Sequence, residues 1–113
     1  MAKKVMTPVE AKYNAITKIA FETASSTTDG FELKFNKNDE YAFVVVDGGT
    51  AGGKITVKAP TNGSYAAASS DLELTLSANE TAVIRLESAR YCNNDGTINL
   101  IPSVTTVTAV AVI

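Results

Sequence analysis

Apolar and polar positions alternate in short runs along this chain, and the runs are separated by residues that favour turns. Phe31-Glu32-Leu33-Lys34-Phe35 sets three apolar side chains on one face and two charged ones on the other, the pattern of a half-buried strand. Lys54-Ile55-Thr56-Val57-Lys58 and Leu72-Glu73-Leu74-Thr75-Leu76 repeat it. Tyr41-Ala42-Phe43-Val44-Val45-Val46-Asp47 does not. Its two faces, Tyr41, Phe43 and Val45 against Ala42, Val44 and Val46, are both apolar. Such a strand is covered on both sides within its domain, or keeps one side for a partner. The pattern does not say which face is core.

Further strands are expected at Ala82-Val83-Ile84-Arg85-Leu86, at Thr97-Ile98-Asn99-Leu100-Ile101, which Pro102 ends or confines to a sheet edge, and at the β-branched run Thr105 to Ile113. Asp29-Gly30, Asn36 to Glu40, Asn62-Gly63, Asn79-Glu80 and Asn93-Asn94-Asp95-Gly96 supply the turns. Tyr13, Ala15, Ile16, Ile19, Ala20 and Phe21 have a spacing that fits a short helix or an irregular strand; the strand is preferred because the rest of the chain reads as β. Residues 1–10 lack a period and are expected to form an N-terminal arm, with residues 11–113 as one domain. Short strands at intervals of about 8 to 12 residues predict an all-β fold: a single small β-sandwich, immunoglobulin-like or jelly-roll-like, or a β-barrel.

Composition narrows the chemistry. The 113 residues suit one core. A net charge of −2 and a pI near 5.0 give no field that would draw nucleic acid. No apolar run is long enough to cross a bilayer, and Lys3 and Lys4 have no apolar stretch behind them, so neither membrane insertion nor a signal peptide is expected. With no histidine and a single cysteine, Cys92, the chain lacks the usual general base, the usual zinc ligands and any internal disulfide. Gly48-Gly49-Thr50-Ala51-Gly52-Gly53-Lys54 has the G-x-x-x-x-G-K spacing of a phosphate loop. Ile55 replaces the hydroxyl residue that magnesium needs, and a strand follows where the motif requires a helix. The segment is therefore expected to be a flexible strand-to-strand loop. Acidic pairs such as Asp39-Glu40 fall in turns and read as solvated charge. No catalytic residue, metal site or cofactor is expected.

Taken together, the opening Met1-Ala2-Lys3-Lys4, the strand after Asp29-Gly30, the Tyr41 to Val46 strand, the glycine-rich break before Lys54-Ile55-Thr56-Val57-Lys58-Ala59 and the late Glu87-Ser88-Ala89-Arg90-Tyr91 resemble the small β-rich virion proteins of tailed bacteriophages, capsid decoration proteins above all. The resemblance implies a non-enzymatic protein on the capsid exterior, made in the host cytoplasm. Its partners would be the major capsid protein and further copies of itself, with a trimer among the options. Lys3, Lys4, Val5 and Pro8 of the arm, and Tyr41, Phe43 and Val45 or their opposite-face neighbours, are the expected contacts, with the arm ordering on binding. Two other readings stand beside it. One is a carbohydrate- or cell-surface-binding module of a tail fibre or adhesin, for which zero Trp and four Tyr are a poor supply of stacking platforms. The other is a tail-tube or head-tail connector subunit.

Overall fold

A computed structural model of the chain describes residues 3–6, 8–12, 14–34, 43–61, 70–86, 91, 93 and 96–112. It is all-β. Eight strands form two sheets: β1 (Lys4–Met6), β2 (Phe31–Lys34), β7 (Thr97–Pro102), β4 (Gly53–Val57) and β5 (Leu72–Leu76), in that order, and β6 (Thr81–Arg85), β3 (Phe43–Asp47) and β8 (Thr108–Val112). All neighbours are antiparallel except β1 and β2. The inner faces contribute to one core: Met6, Phe31, Leu33, Ile55, Val57, Ile98 and Leu100 from the larger sheet, and Val44, Val46, Ile84, Ala109 and Ala111 from the smaller. Tyr91 packs against its margin. Two separate sheets sharing one core make a small sandwich, not a closed barrel.

Alternation and turn chemistry account for most of these elements. Leu72–Leu76 has the predicted limits. The Asp29-Gly30 turn is closed by the Gly30 N–H donating to the Ser26 carbonyl at 3.0 Å, with Gly30 at φ 64. Pro102 is the last residue of β7, so it ends the strand, and β7 lies inside its sheet between β2 and β4.

Two expectations fail. The N-terminal segment is not a separate arm, because residues 4–6 pair in parallel with Phe31 to Leu33 and Met6 is fully buried in the core. The Val9 N–H then donates to the Ala111 carbonyl at 2.8 Å, which carries the chain across to the other sheet. Met6 and Val9 anchor it, and the neighbouring lysines hide that in the sequence. Nor is the stretch after it a strand. The described residues between Val9 and Glu22 form no regular element, with Asn14 turning at φ 56, and the chain rejoins β8 only where Glu22 and Ala109 exchange two hydrogen bonds.

The glycine-rich segment is the strand-to-strand loop expected, and it is hydrogen-bonded and closely packed. Three short connections cross between the sheets, β3 to β4, β5 to β6 and β7 to β8, and residues 48–53 lie where they meet. The Gly48 N–H donates to the Glu80 carbonyl at 2.8 Å, and the Asn79 N–H to the Gly49 carbonyl at 2.6 Å. A Cβ on Gly49, whose φ is 69, would stand 2.4 Å from the Thr106 carbonyl oxygen; one on Gly52 would stand 2.6 Å from that of Leu76. These glycines are there because backbones approach closely.

Gly49→Ala combines left-handed strain with a backbone clash and is expected to lower stability by at least about 2 kcal/mol in urea unfolding. Met6→Ala is expected to cost about 2–4 kcal/mol by the same measurement, as for other large buried side chains, whereas truncation on a free arm would leave the midpoint unchanged.

Candidate interaction surface

The outer faces of the two sheets differ in chemistry. On the larger sheet, Glu32, Lys34, Asn99, Thr56, Lys54, Glu73 and Thr75 alternate with the core residues and suit water, with Val5 and Ile101 as apolar exceptions. On the smaller sheet the outward residues form three cross-strand rows: Val83, Val45 and Val110; Arg85, Phe43 and Val112; Thr81, Asp47 and Thr108. Two rows are largely apolar. This resolves the double-sided strand, since Val44 and Val46 face the core and Phe43 and Val45 face outward.

Cover over that outer face ends partway across it. Val110 is 1 % exposed although it lies outside the core cluster, Val45 is half-buried, and Val83 is 63 % exposed. Phe43, 37 % exposed, has the Arg85 guanidinium 5.8 Å from its ring centroid, within the range of a cation–π contact. The result is a ledge of Phe43, Val45 and Val83 beside β6.

A second uncovered group stands on the segment pinned to β8 by Val9 and Glu22. Ile16 is 94 % exposed, and Ile19 and Phe21 are exposed near it in sequence, with Lys12 and Lys18 exposed between and beside them. Because the segment leaves and returns to the same strand edge, it is a surface loop held at both ends.

The structure divides the expected contact residues. Lys4 and Val5 belong to β1 at the edge of the larger sheet, Lys3 just precedes it and Pro8 stands beside Val9, where the chain passes to β8, while Phe43 and Val45 lie on the outer face of the smaller sheet. Lys3 Nζ donates to Asn99 Oδ1 at 2.9 Å, and Lys4 Nζ lies 3.8 Å from Glu22 Oε1, so both lysines have partners within the fold. Val5 is exposed and Pro8 half-buried. Tyr41 lies outside the described residues, as does Tyr65, the aromatic on which a sugar-binding reading would lean. Val83, Arg85 and Val112 were not singled out from sequence, because assigning them to the surface requires knowing which strands flank β3.

Among the described residues no three His, Cys, Asp or Glu side chains gather where they could hold a metal ion. In the segment with phosphate-loop spacing, the Gly49 N–H donates to the Asp47 carboxylate at 2.9 Å, so that amide already serves an internal anion. Asp71 is held below its usual carboxylate range, first by the Ala59 N–H and then by Lys58. Its hydrogen bonds, 2.7 Å from the Ala59 N–H and 2.9 Å from Lys58 Nζ, clamp the neck between β4 and β5. Comparison with protein-family models, curated proteins and solved structures yields no match.

One substitution made at two positions tests the assignment of faces. Val44→Thr buries a hydroxyl and is expected to lower stability by about 1–3 kcal/mol, whereas Val83→Thr, equally β-branched, is expected to stay within about 0.5 kcal/mol. Equal losses in thermal or urea unfolding would contradict the assignment.

Proposed function

We propose that this chain is a non-enzymatic structural virion protein that binds the outer surface of a tailed-phage capsid and stabilises the shell. The observation that supports this reading best is a small sandwich, tied together at a glycine junction, that leaves apolar side chains uncovered on a ledge and on a strapped loop. Apolar surface of this kind becomes favourable when a partner removes it from water. The resemblance to decoration proteins points the same way.

The mechanism needs no bond chemistry. An assembled shell repeats one arrangement of the major capsid protein many times, so each copy of a small binder requires only a modest interface. A protein that binds the assembled form and not free subunits shifts the equilibrium towards assembly by mass action. Copies that also touch one another add avidity through effective concentration. On this reading the loop carrying Ile16, Ile19 and Phe21 inserts its apolar side chains into the shell, with Lys12 and Lys18 meeting acidic groups at the rim of the contact.

Pelleting after mixing with undecorated capsids tests the proposal. The expected result is saturable co-sedimentation at a fixed ratio to capsid subunits, with Ile16→Asp weakening binding by about tenfold or more through a desolvated charge while leaving the unfolding midpoint unchanged. Wild-type protein that remains in the supernatant at every concentration would remove the reading.

A further inference from the structure

Four strands end the two sheets, and three of their free edges are blunted. β1 has only three residues, with Lys3 and Lys4 at its start. The free edge of β8 is occupied by backbone bonds from Val9 and Glu22. β5 carries the exposed Glu73 near its middle. Short length, cover and charge are the usual protections of a sheet edge. β6 is neither short nor covered by a described residue, and its one charge, Arg85, stands at its end with the guanidinium over Phe43. Its five residues include no proline, glycine or lysine, no described residue pairs with its free edge, and its central residue is the exposed Val83.

We infer that β6 pairs antiparallel with β6 of a second copy about a two-fold axis at Val83, making one six-stranded sheet from the two small sheets. The register follows from the rows on the outer face. At the axis Val83 faces the partner's Val83, so the central row becomes Val110, Val45 and Val83 followed by the same three residues in reverse order. On either side, the row ending in Phe43 and Arg85 runs into the partner's row beginning with Thr81 and Asp47. Neighbouring strands lie about 4.8 Å apart, so the partner's Asp47 is two strands from Arg85, whose guanidinium, over Phe43 in the single protomer, would swing across the short Thr81 to meet it. The contact is apolar at the axis and oppositely charged at both ends. That self-complementary order selects a second copy over an unrelated strand, for which no register on β6 is special.

This inference does not rest on the capsid reading, and its test uses the protein alone. Sedimentation from micromolar to millimolar concentration is expected to show the mass rising from one protomer to two. Val83→Lys sets two like charges face to face and is expected to raise the dissociation constant by at least about tenfold, with an unfolding midpoint that matches the wild type at concentrations low enough for both to be single protomers. For the register, Val83→Cys in a Cys92→Ser background is expected to form an intermolecular disulfide under mild oxidation at least about tenfold faster than Thr105→Cys in the same background, because directly opposed strand residues lie within disulfide range. A mass of one or of three protomers throughout, a dimer indifferent to Val83→Lys, or cross-linking no faster than at position 105 would each overturn the inference. A wild type that is single in solution but binds capsids in a manner abolished by Val83→Lys would also overturn it, and would give the ledge to the shell.

Discussion

The structure depends on the close approach of three backbone connections at residues 48–53. Each crosses from one sheet to the other within a few residues, and the carbonyls of Leu76, Ser77 and Thr106 stand where a side chain on Gly52, Gly48 or Gly49 would have to go. The Gly48 to Glu80 and Asn79 to Gly49 hydrogen bonds tie two of the connections together. The third is joined through Lys54 and Ser103, whose backbones exchange a bond of 2.8 Å. Where those connections lie decides which strands face each other across the core. That places Val44 and Val46 against the larger sheet and turns Phe43 and Val45 outward.

The surface is a consequence of sheet order. β3 is the middle strand of only three, so an apolar outer side chain on it has one neighbour near the β8 edge and one on β6. The first side is covered, as the burial of Val110 records, and the second is not. A double-sided apolar strand in a wide sheet is ordinary core. In a narrow sheet with one open edge it produces a ledge, and a ledge with an unpaired backbone beside it offers a partner both apolar contact and main-chain hydrogen bonds.

What could be read from the sequence was whatever a strand or a turn imposes locally. Leu72 to Leu76 alternates because one face is buried, and Asp29-Gly30 marks a turn because φ must be positive there. The limits of reading appear where burial and local pattern part company. β1 is too short to show a period, and a single residue, Met6, fixes it to the core. Ile16, Ile19 and Phe21 have apolar spacing but only partial cover, and Ile16 almost none, so the pattern suggested an element that their exposure does not support. A run of glycines looks the same whether it is loose or packed, since what separates the two is the distance to backbones far away in the chain. The two faces of β3 are equivalent in the sequence until β6 and β8 are known to flank it. The contact residues expected from sequence were separated for the same reason, as β1 and β3 belong to different sheets.

The order of the strands also governs the order in which the protein can be made. β2 pairs with β7 and β3 with β8, so the middle strand of the larger sheet and one flank of the smaller come from near the end of the chain. During synthesis, Phe43 to Val46 leaves the ribosome long before Ala109 to Val112, and until then neither apolar face of β3 has its full lateral support. Partners far apart in sequence make for slow folding, and an unpaired apolar strand in the interval is prone to associate with other nascent chains. A truncated product ending before Thr97 would lack β7, the centre of the larger sheet, and β8, one of the two neighbours of β3, making it a substrate for holdase chaperones and proteases rather than a smaller version of the same fold.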